Sequence, residues 1–86
     1  MEQQSDNHFK TSDTALAAFL KVKNFYLVSI DYEKPRYEFH FLNSDQLQEA
    51  ANSYLIGNAL CDPSDYSRIF KKLNRIIFKK VQWEND

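Results

Sequence analysis

The chain has 86 residues, of which 43% are hydrophobic and 15% aromatic, and its formal net charge is −1. This length fits one domain with a compact core, and a charge so close to zero favours no class of partner. The single cysteine, Cys61, excludes an internal disulfide. The sequence opens without an apolar leader and has no stretch of about 20 apolar residues, so we expect a cytoplasmic protein that does not contact a membrane.

The first ten residues are polar apart from Met1 and Phe9. They predict a disordered N-terminal tail over residues 1–10. A single compact domain is expected over residues 11–81, followed by a C-terminal tail over residues 82–86. The only tryptophan, Trp83, falls in that second tail.

A first helix is predicted from about Asp13 to Lys23, because Thr11-Ser12-Asp13 supplies side chains that cap a first turn. Most sides of this helix are apolar, including Ala15, Leu16, Ala17, Ala18, Phe19, Leu20 and Val22. Such a helix is usually buried on most sides, so we expect it to contact the sheet and a further element, which could be a second subunit. Asn24 predicts a left-handed end, since asparagine tolerates positive φ.

The stretch from Tyr26 to Leu42 predicts a β-hairpin closed by a loop over residues 33–36. Pairing Tyr32 with Tyr37 places Ile30 opposite Phe39 and Val28 opposite Phe41, because side chains alternate between the faces of a strand. One face is then apolar and aromatic, comprising Val28, Ile30, Tyr32, Tyr37, Phe39 and Phe41, with Tyr26 at its end. The other face carries Asp31 opposite Glu38 and Ser29 opposite His40, with Leu27 and Leu42 near its open end.

Two further helices are predicted, from about Asp45 to Ile56 and from about Pro63 to Lys80. The former is capped by Ser44, or by Asp45 with Gln48 at capping-box spacing, and ends at Gly57-Asn58. Asp62-Pro63 starts the latter. The order is therefore α-β-β-α-α. We expect an α+β domain in which three helices cover the aromatic face of a two-stranded antiparallel hairpin with open edges.

Several short motifs resemble a small bacterial and phage domain family of unknown function. They are the run Thr11-Ser12-Asp13-Thr14-Ala15-Leu16-Ala17-Ala18-Phe19-Leu20, the strand Phe39-x-Phe41, the turn Tyr54-x-x-Gly57-x-Ala59 and the start Asp62-Pro63-x-x-Tyr66. The resemblance covers about residues 11–80, and members of that family tend to have glycine where this chain has Asn24. It implies a compact helix-hairpin-helix-helix domain and no known activity.

Five basic residues of the third helix fall within about 100° of arc opposite its apolar stripe. They are Arg68, Lys71, Lys72, Arg75 and Lys79, and no acidic residue lies between Tyr66 and Lys80. An unmixed basic face sustains repulsion that a polyanion, such as nucleic acid or an acidic protein surface, would relieve. The alternative is a solvated face whose cations suit the negative end of the helix dipole.

Other combinations of residues give weaker signals for chemistry. Asp31, Glu38 and His40 could hold a divalent metal, but no further ligand with recognisable spacing accompanies them, so we expect no metal site. Cys61 is interpreted as a small apolar filler. We expect no enzyme activity, no cofactor and no small-molecule substrate.

Tyr26, Phe78 and Trp83 are the aromatic residues that we expect to be exposed as contact residues. Our leading hypothesis is a non-catalytic protein-interaction or self-association module that associates through helix 1, a sheet edge, or both. The alternative hypothesis is nucleic-acid binding through the basic face of the last helix.

Overall fold

The computed structural model describes residues 7–33 and 35–84 and has an α+β fold, as predicted. In chain order the elements are β1 (His8–Thr11), α1 (Thr14–Val22), β2 (Leu27–Asp31), β3 (Glu38–Leu42), α2 (Asp45–Leu55) and α3 (Pro63–Lys79). The order is therefore β-α-β-β-α-α, with one strand more than the sequence predicts. None of the helices in these two ranges is long and apolar enough to cross a bilayer.

The additional strand is β1, which makes the predicted two-stranded hairpin a three-stranded antiparallel sheet of order β1-β3-β2. Phe9 lies opposite Phe41 and packs against the core. The predicted N-terminal tail is wrong for His8–Lys10, which belong to β1, whereas residues 1–6 lie outside the described residues. A strand on each side of β3 buries Phe39 and Phe41 more completely than a hairpin alone could.

The predicted register of the hairpin is confirmed at three pairs, Ser29 with His40, Ile30 with Phe39, and Asp31 with Glu38. It fails nearer the start of β2, where a bulge between Leu27 and Ser29 places Leu27 opposite Phe41. Val28 was predicted in that position but is 39% exposed, while Leu27 is fully buried. The extra residue of a bulge makes the side chains before it point to the opposite face of the sheet. Here this change buries Leu27, whose side chain is larger than that of Val28.

Helix α1 lies at the centre of the fold. Its five consecutive residues Leu16–Leu20 are all buried, and α1 packs against α2, α3 and β1. The predicted burial on most sides is confirmed, but the chain itself provides the cover. These five residues therefore offer no apolar surface to a second subunit, and self-association through helix 1 stays a prediction.

All three helices begin and end with capping geometry. The side chains of Asp13, Ser44 and Asp62 accept hydrogen bonds from backbone N–H groups of the first turns. The helix ends contain residues with positive φ, namely Asn24 at 69°, Gly57 at 76° and Lys80 at 56°. Asn24 and Gly57 were predicted as helix ends; Lys80 was predicted as the last helical residue. In each case the next N–H bonds a carbonyl five residues earlier, which closes the last turn.

The turn at Lys80 directs the following residues back towards the sheet. Tyr32 donates its hydroxyl proton to the carbonyl oxygens of Val81 (2.6 Å) and Ile76 (3.2 Å). The side-chain amide of Gln82 bonds the backbone N–H and carbonyl of Ile30. The predicted C-terminal tail is therefore ordered at Gln82 and Trp83, while residues 85–86 lie outside the described residues.

Candidate polyanion-binding surface

The face of α3 that points away from the core is basic. Ile69, Leu73 and Ile76 are buried, and the 3.6-residue period places Lys71, Arg75 and Lys79 in solvent on the other side. The helix carries five basic residues and one acidic residue, although the chain as a whole is slightly acidic. Positive charge is therefore concentrated on this one element.

One of the five basic residues has a carboxylate partner on the same helix. Arg68 approaches Asp65, with 3.3 Å between Nη2 and Oδ1, and both side chains are more than half exposed. An exposed pair of this kind contributes little to stability. No carboxylate within the described ranges lies within 4.0 Å of the side-chain nitrogens of Lys71, Arg75 or Lys79. These three cations are available to an external anion.

The basic face continues into a cleft of about 730 Å³. The end of α1, the first half of α3 and the residues after α3 form its walls. Arg68 and Lys72 belong both to the cleft and to the basic face, and Lys21, Tyr26 and Trp83 are among the other residues that line the cleft. Two acidic residues, Asp65 and Glu84, also contribute, so positive charge exceeds negative charge by one among these side chains.

Two ammonium groups lie against the indole ring of Trp83. The Nζ atom of Lys72 is 4.2 Å from the ring centroid, and the Nζ atom of Lys21 is 5.0 Å from it. Each contact is a cation–π interaction, which stabilises by roughly 0.5–2 kcal/mol depending on solvent exposure. Trp83 thereby brings together two positive charges from different helices, which would otherwise repel each other.

The ionisation of Lys21 reflects this arrangement. Burial lowers the pKa of Lys21 from its ordinary value of 10.5, and the positive charge of Lys72 lowers that pKa further. The ammonium also donates a hydrogen bond of 3.2 Å to the carbonyl oxygen of Phe25, just beyond the end of α1. A bound anion would remove the repulsion between the two lysines and raise the pKa of Lys21.

The residues predicted as candidate sites separate into two groups. Arg68, Lys72, Tyr26 and Trp83 meet in the cleft, which joins the predicted basic face to two of the predicted aromatic contacts. Lys71, Arg75, Lys79 and Phe78 lie on the outer surface of α3. Phe78 is 88% exposed and Tyr26 is 54% exposed, as expected of contact residues. Trp83 was expected to be exposed but is half-buried and packed against the core.

Lys21 was not predicted as a site residue. In the sequence it belongs to the narrow polar strip of the first helix, which is a common position for a solvated lysine. Lys21 contacts Trp83 only because the residues after α3 fold back towards α1. No local pattern in the sequence indicates this contact. The basic face of α3 was one signal that pointed towards this region, and the predicted aromatic contacts Tyr26 and Trp83 were another.

The structure also places the possible metal ligands and the single cysteine that the sequence analysis considered. The side chains of Asp31, Glu38 and His40 come together on the sheet face that points away from the core. Cys61 is half-buried and packs against the core, which agrees with its interpretation as a filler.

A family model for a domain of unknown function matches residues 6–79, a range that includes β1 and ends with the last residue of α3. No curated protein and no solved structure matches the chain. Gln82 and Trp83 lie beyond the matched range.

Proposed function

The chain belongs to that family, the domain of unknown function DUF5659, and from the geometry of the surface we propose that it is a non-catalytic module that binds single-stranded nucleic acid. The observation that carries the proposal is the row Lys71, Arg75 and Lys79. These are three exposed cations on one face of α3, without a carboxylate partner among the described residues.

The spacing of the row suits a phosphate backbone. Lys71, Arg75 and Lys79 are each four residues apart, so neighbouring members are separated by about 6 Å along the helix axis. This is close to the distance between successive phosphates of an extended single strand. Like charges four residues apart destabilise an isolated helix by a few tenths of a kcal/mol each, and phosphate contacts remove that penalty.

Phe78 supplies the second type of contact that single-strand binding requires. It lies on the border of the basic row, beside Lys71 on the helical projection, and is 88% exposed. An aromatic ring in this position can stack on a base, and such stacking contributes about 1–3 kcal/mol per base without sequence preference. A phenylalanine this exposed gains almost nothing from the core of its own chain.

The cleft provides an end point for the strand. Arg68 and Lys72 connect the basic row to Lys21, and the two lysines converge on Trp83. We propose that a phosphate binds between the ammonium groups of Lys21 and Lys72. Trp83 then has a positioning role, because its ring faces the lysines.

Fluorescence anisotropy with a labelled single-stranded 20-mer tests the proposal. We expect saturable binding that weakens as salt rises. The triple variant Lys71→Glu, Arg75→Glu and Lys79→Glu should lose that binding, because it replaces three cations that contact phosphates with anions that repel them. In the wild type, each phosphate contact on a single strand should contribute about 0.7 to the slope of log affinity against log salt. A triple variant that binds like the wild type would reject the proposal.

A charge-matched control separates location from total charge. The triple variant Lys10→Glu, Lys23→Glu and Arg36→Glu changes the net charge by the same amount at exposed positions outside α3. It should retain most of the binding if α3 is the contact surface. Circular dichroism spectra and melting curves of both variants verify that they remain folded.

The geometry also favours a second candidate function, self-association at a sheet edge. β1 forms one edge of the sheet, and no other strand of the described residues pairs with its outer side. An edge of this kind can pair with a second copy of the chain. Light scattering coupled to size-exclusion chromatography measures the molar mass in solution. A strict monomer at high micromolar concentration would reject this candidate.

A further inference from the structure

The outer face of the sheet, opposite the core, contains a group of metal-ligating side chains. Asp31 and Glu38 face each other across β2 and β3, and His40 lies two residues further along β3 on the same face. One ligand atom from each of the three side chains lies within 4.8 Å of the other two. From this geometry we propose that Asp31, Glu38 and His40 bind a divalent first-row transition metal ion such as Zn²⁺.

The donor set fits such an ion. Two carboxylates and one imidazole combine oxygen and nitrogen ligands, and three protein ligands with a water in the fourth position form an open tetrahedral zinc site. Donors around a tetrahedral zinc ion are about 3.4 Å apart when each bond is about 2.1 Å long. The observed separations, which reach at most 4.8 Å, must therefore contract by up to about 1.4 Å when the ion binds.

The surroundings of the three side chains favour a cation. Directly opposed carboxylates repel each other, and a metal ion removes that repulsion. The His40 side chain is only 16% exposed and that of Glu38 23%, and a hydrogen bond of 3.0 Å joins His40 Nε2 to Glu38 Oε1, which a metal ion would replace. Charges that are partly shielded from water interact more strongly with an ion than fully exposed ones.

Neighbouring residues restrain the group and add a competing cation. One Asp31 carboxylate oxygen accepts a hydrogen bond of 2.9 Å from the Glu33 backbone N–H, which restrains its rotamer. The His8 ring lies 6.0 Å, centroid to centroid, from the His40 ring, so a second imidazole is close to the site. Lys10 lies opposite His40 on β1, and its ammonium group is the alternative source of positive charge.

Isothermal titration calorimetry with ZnCl₂ tests the site. The protein should carry Cys61→Ser, so that the thiol cannot bind zinc, and melting curves should be recorded with and without the metal. We expect one zinc ion per chain and a higher melting temperature with the metal. The near-isosteric variants Asp31→Asn and His40→Gln should each weaken binding at least about tenfold, since removal of a ligand affects affinity at least as much as removal of its supporting hydrogen bonds.

Asp65→Asn is the matched control, because Asp65 is an exposed aspartate on α3, outside the group. It should bind zinc like the parent. The proposal is overturned if the parent shows no saturable binding below 1 mM, or if Asp31→Asn and His40→Gln bind as tightly as Asp65→Asn. Glu38→Gln replaces either variant if one fails to fold. Since the group lies on the sheet and not on α3, this test is independent of nucleic-acid binding.

Discussion

The side-chain amide of Gln82 binds the backbone of Ile30 as a neighbouring strand would. The Ile30 N–H donates to Gln82 Oε1 at 2.7 Å, and Gln82 Nε2 donates to the Ile30 carbonyl oxygen at 2.8 Å. One side chain therefore satisfies both polar groups of an edge residue of β2. The same pair of bonds fixes the segment that places Trp83 beside Lys21 and Lys72.

Substitutions at Gln82 test this edge contact. Gln82→Ala should reduce the free energy of unfolding by about 1–2 kcal/mol, because two hydrogen bonds are lost. Gln82→Glu should be at least as destabilising, because a carboxylate accepts from the Ile30 N–H but repels the Ile30 carbonyl oxygen. Urea denaturation measures both. If Gln82→Glu is as stable as the wild type, the paired bonds do not hold the segment.

The bulge in β2 makes opposite predictions for two adjacent residues. Leu27→Ala should destabilise the fold by about 2–5 kcal/mol, since it leaves a cavity beside Phe41. Val28→Ala should change stability far less, because Val28 is already substantially exposed. Urea denaturation of the two variants compares them directly. A greater loss of stability in Val28→Ala than in Leu27→Ala would show that β2 pairs without the bulge, as the period-two pattern predicts.

The contribution of β1 can be measured with a pair of identical substitutions. Phe9→Ala should destabilise the domain by roughly 1–3 kcal/mol, because Phe9 is partly buried opposite Phe41. Phe78→Ala, at an exposed position, should stay within about 0.5 kcal/mol of the wild type. Thermal unfolding reports both. Equal effects of the two substitutions would contradict the docking of β1 on the sheet.

The pKa of Lys21 should report anion binding in the cleft. Since burial and Lys72 lower this pKa, Lys72→Gln and added phosphate should each raise it towards 10.5. The lowered pKa of Lys21 also affects the stability of the fold. As pH rises through this pKa, the ammonium group loses its proton and the cost of burying its charge disappears. Burial raises the pKa values of Tyr32, Tyr54 and Tyr66, which therefore weaken the fold as pH rises above 10.

Because these tyrosines have the opposite effect on stability, the titration of Lys21 is best followed at the residue itself, by NMR of its side-chain resonances. Lys79→Gln is the control, since Lys79 is basic and exposed but does not line the cleft. It should leave the pKa of Lys21 unchanged. A Lys21 pKa that responds to neither Lys72→Gln nor phosphate would exclude the cleft as an anion site.

The elements that the sequence predicts correctly are those with local signals. Caps and left-handed ends at Asp13, Asn24, Gly57 and Asp62 depend on a few neighbouring residues, and all four are observed. The pairing of Ile30 with Phe39 follows from a strict alternation of side chains. The basic face of α3 follows from helical periodicity alone.

The remaining features depend on contacts between distant segments. β1 was missed because four residues with a single large apolar side chain, Phe9, give too short a pattern to identify a strand. The bulge was missed because Leu27 and Val28 are both apolar, so that composition does not decide which one is buried. Lys21 and Gln82 were missed because each acquires its partner only when the chain reverses after Lys80.

Mapping of chemical-shift changes by NMR during titration with a single-stranded oligonucleotide shows which residues contact the nucleic acid. We expect the largest changes at Lys71, Arg75, Phe78 and Lys79. These changes should extend to Lys21 and the Trp83 indole N–H, and diminish as salt is added. Changes confined to the sheet, or no changes at protein concentrations of several hundred micromolar and low salt, would contradict nucleic-acid binding through α3.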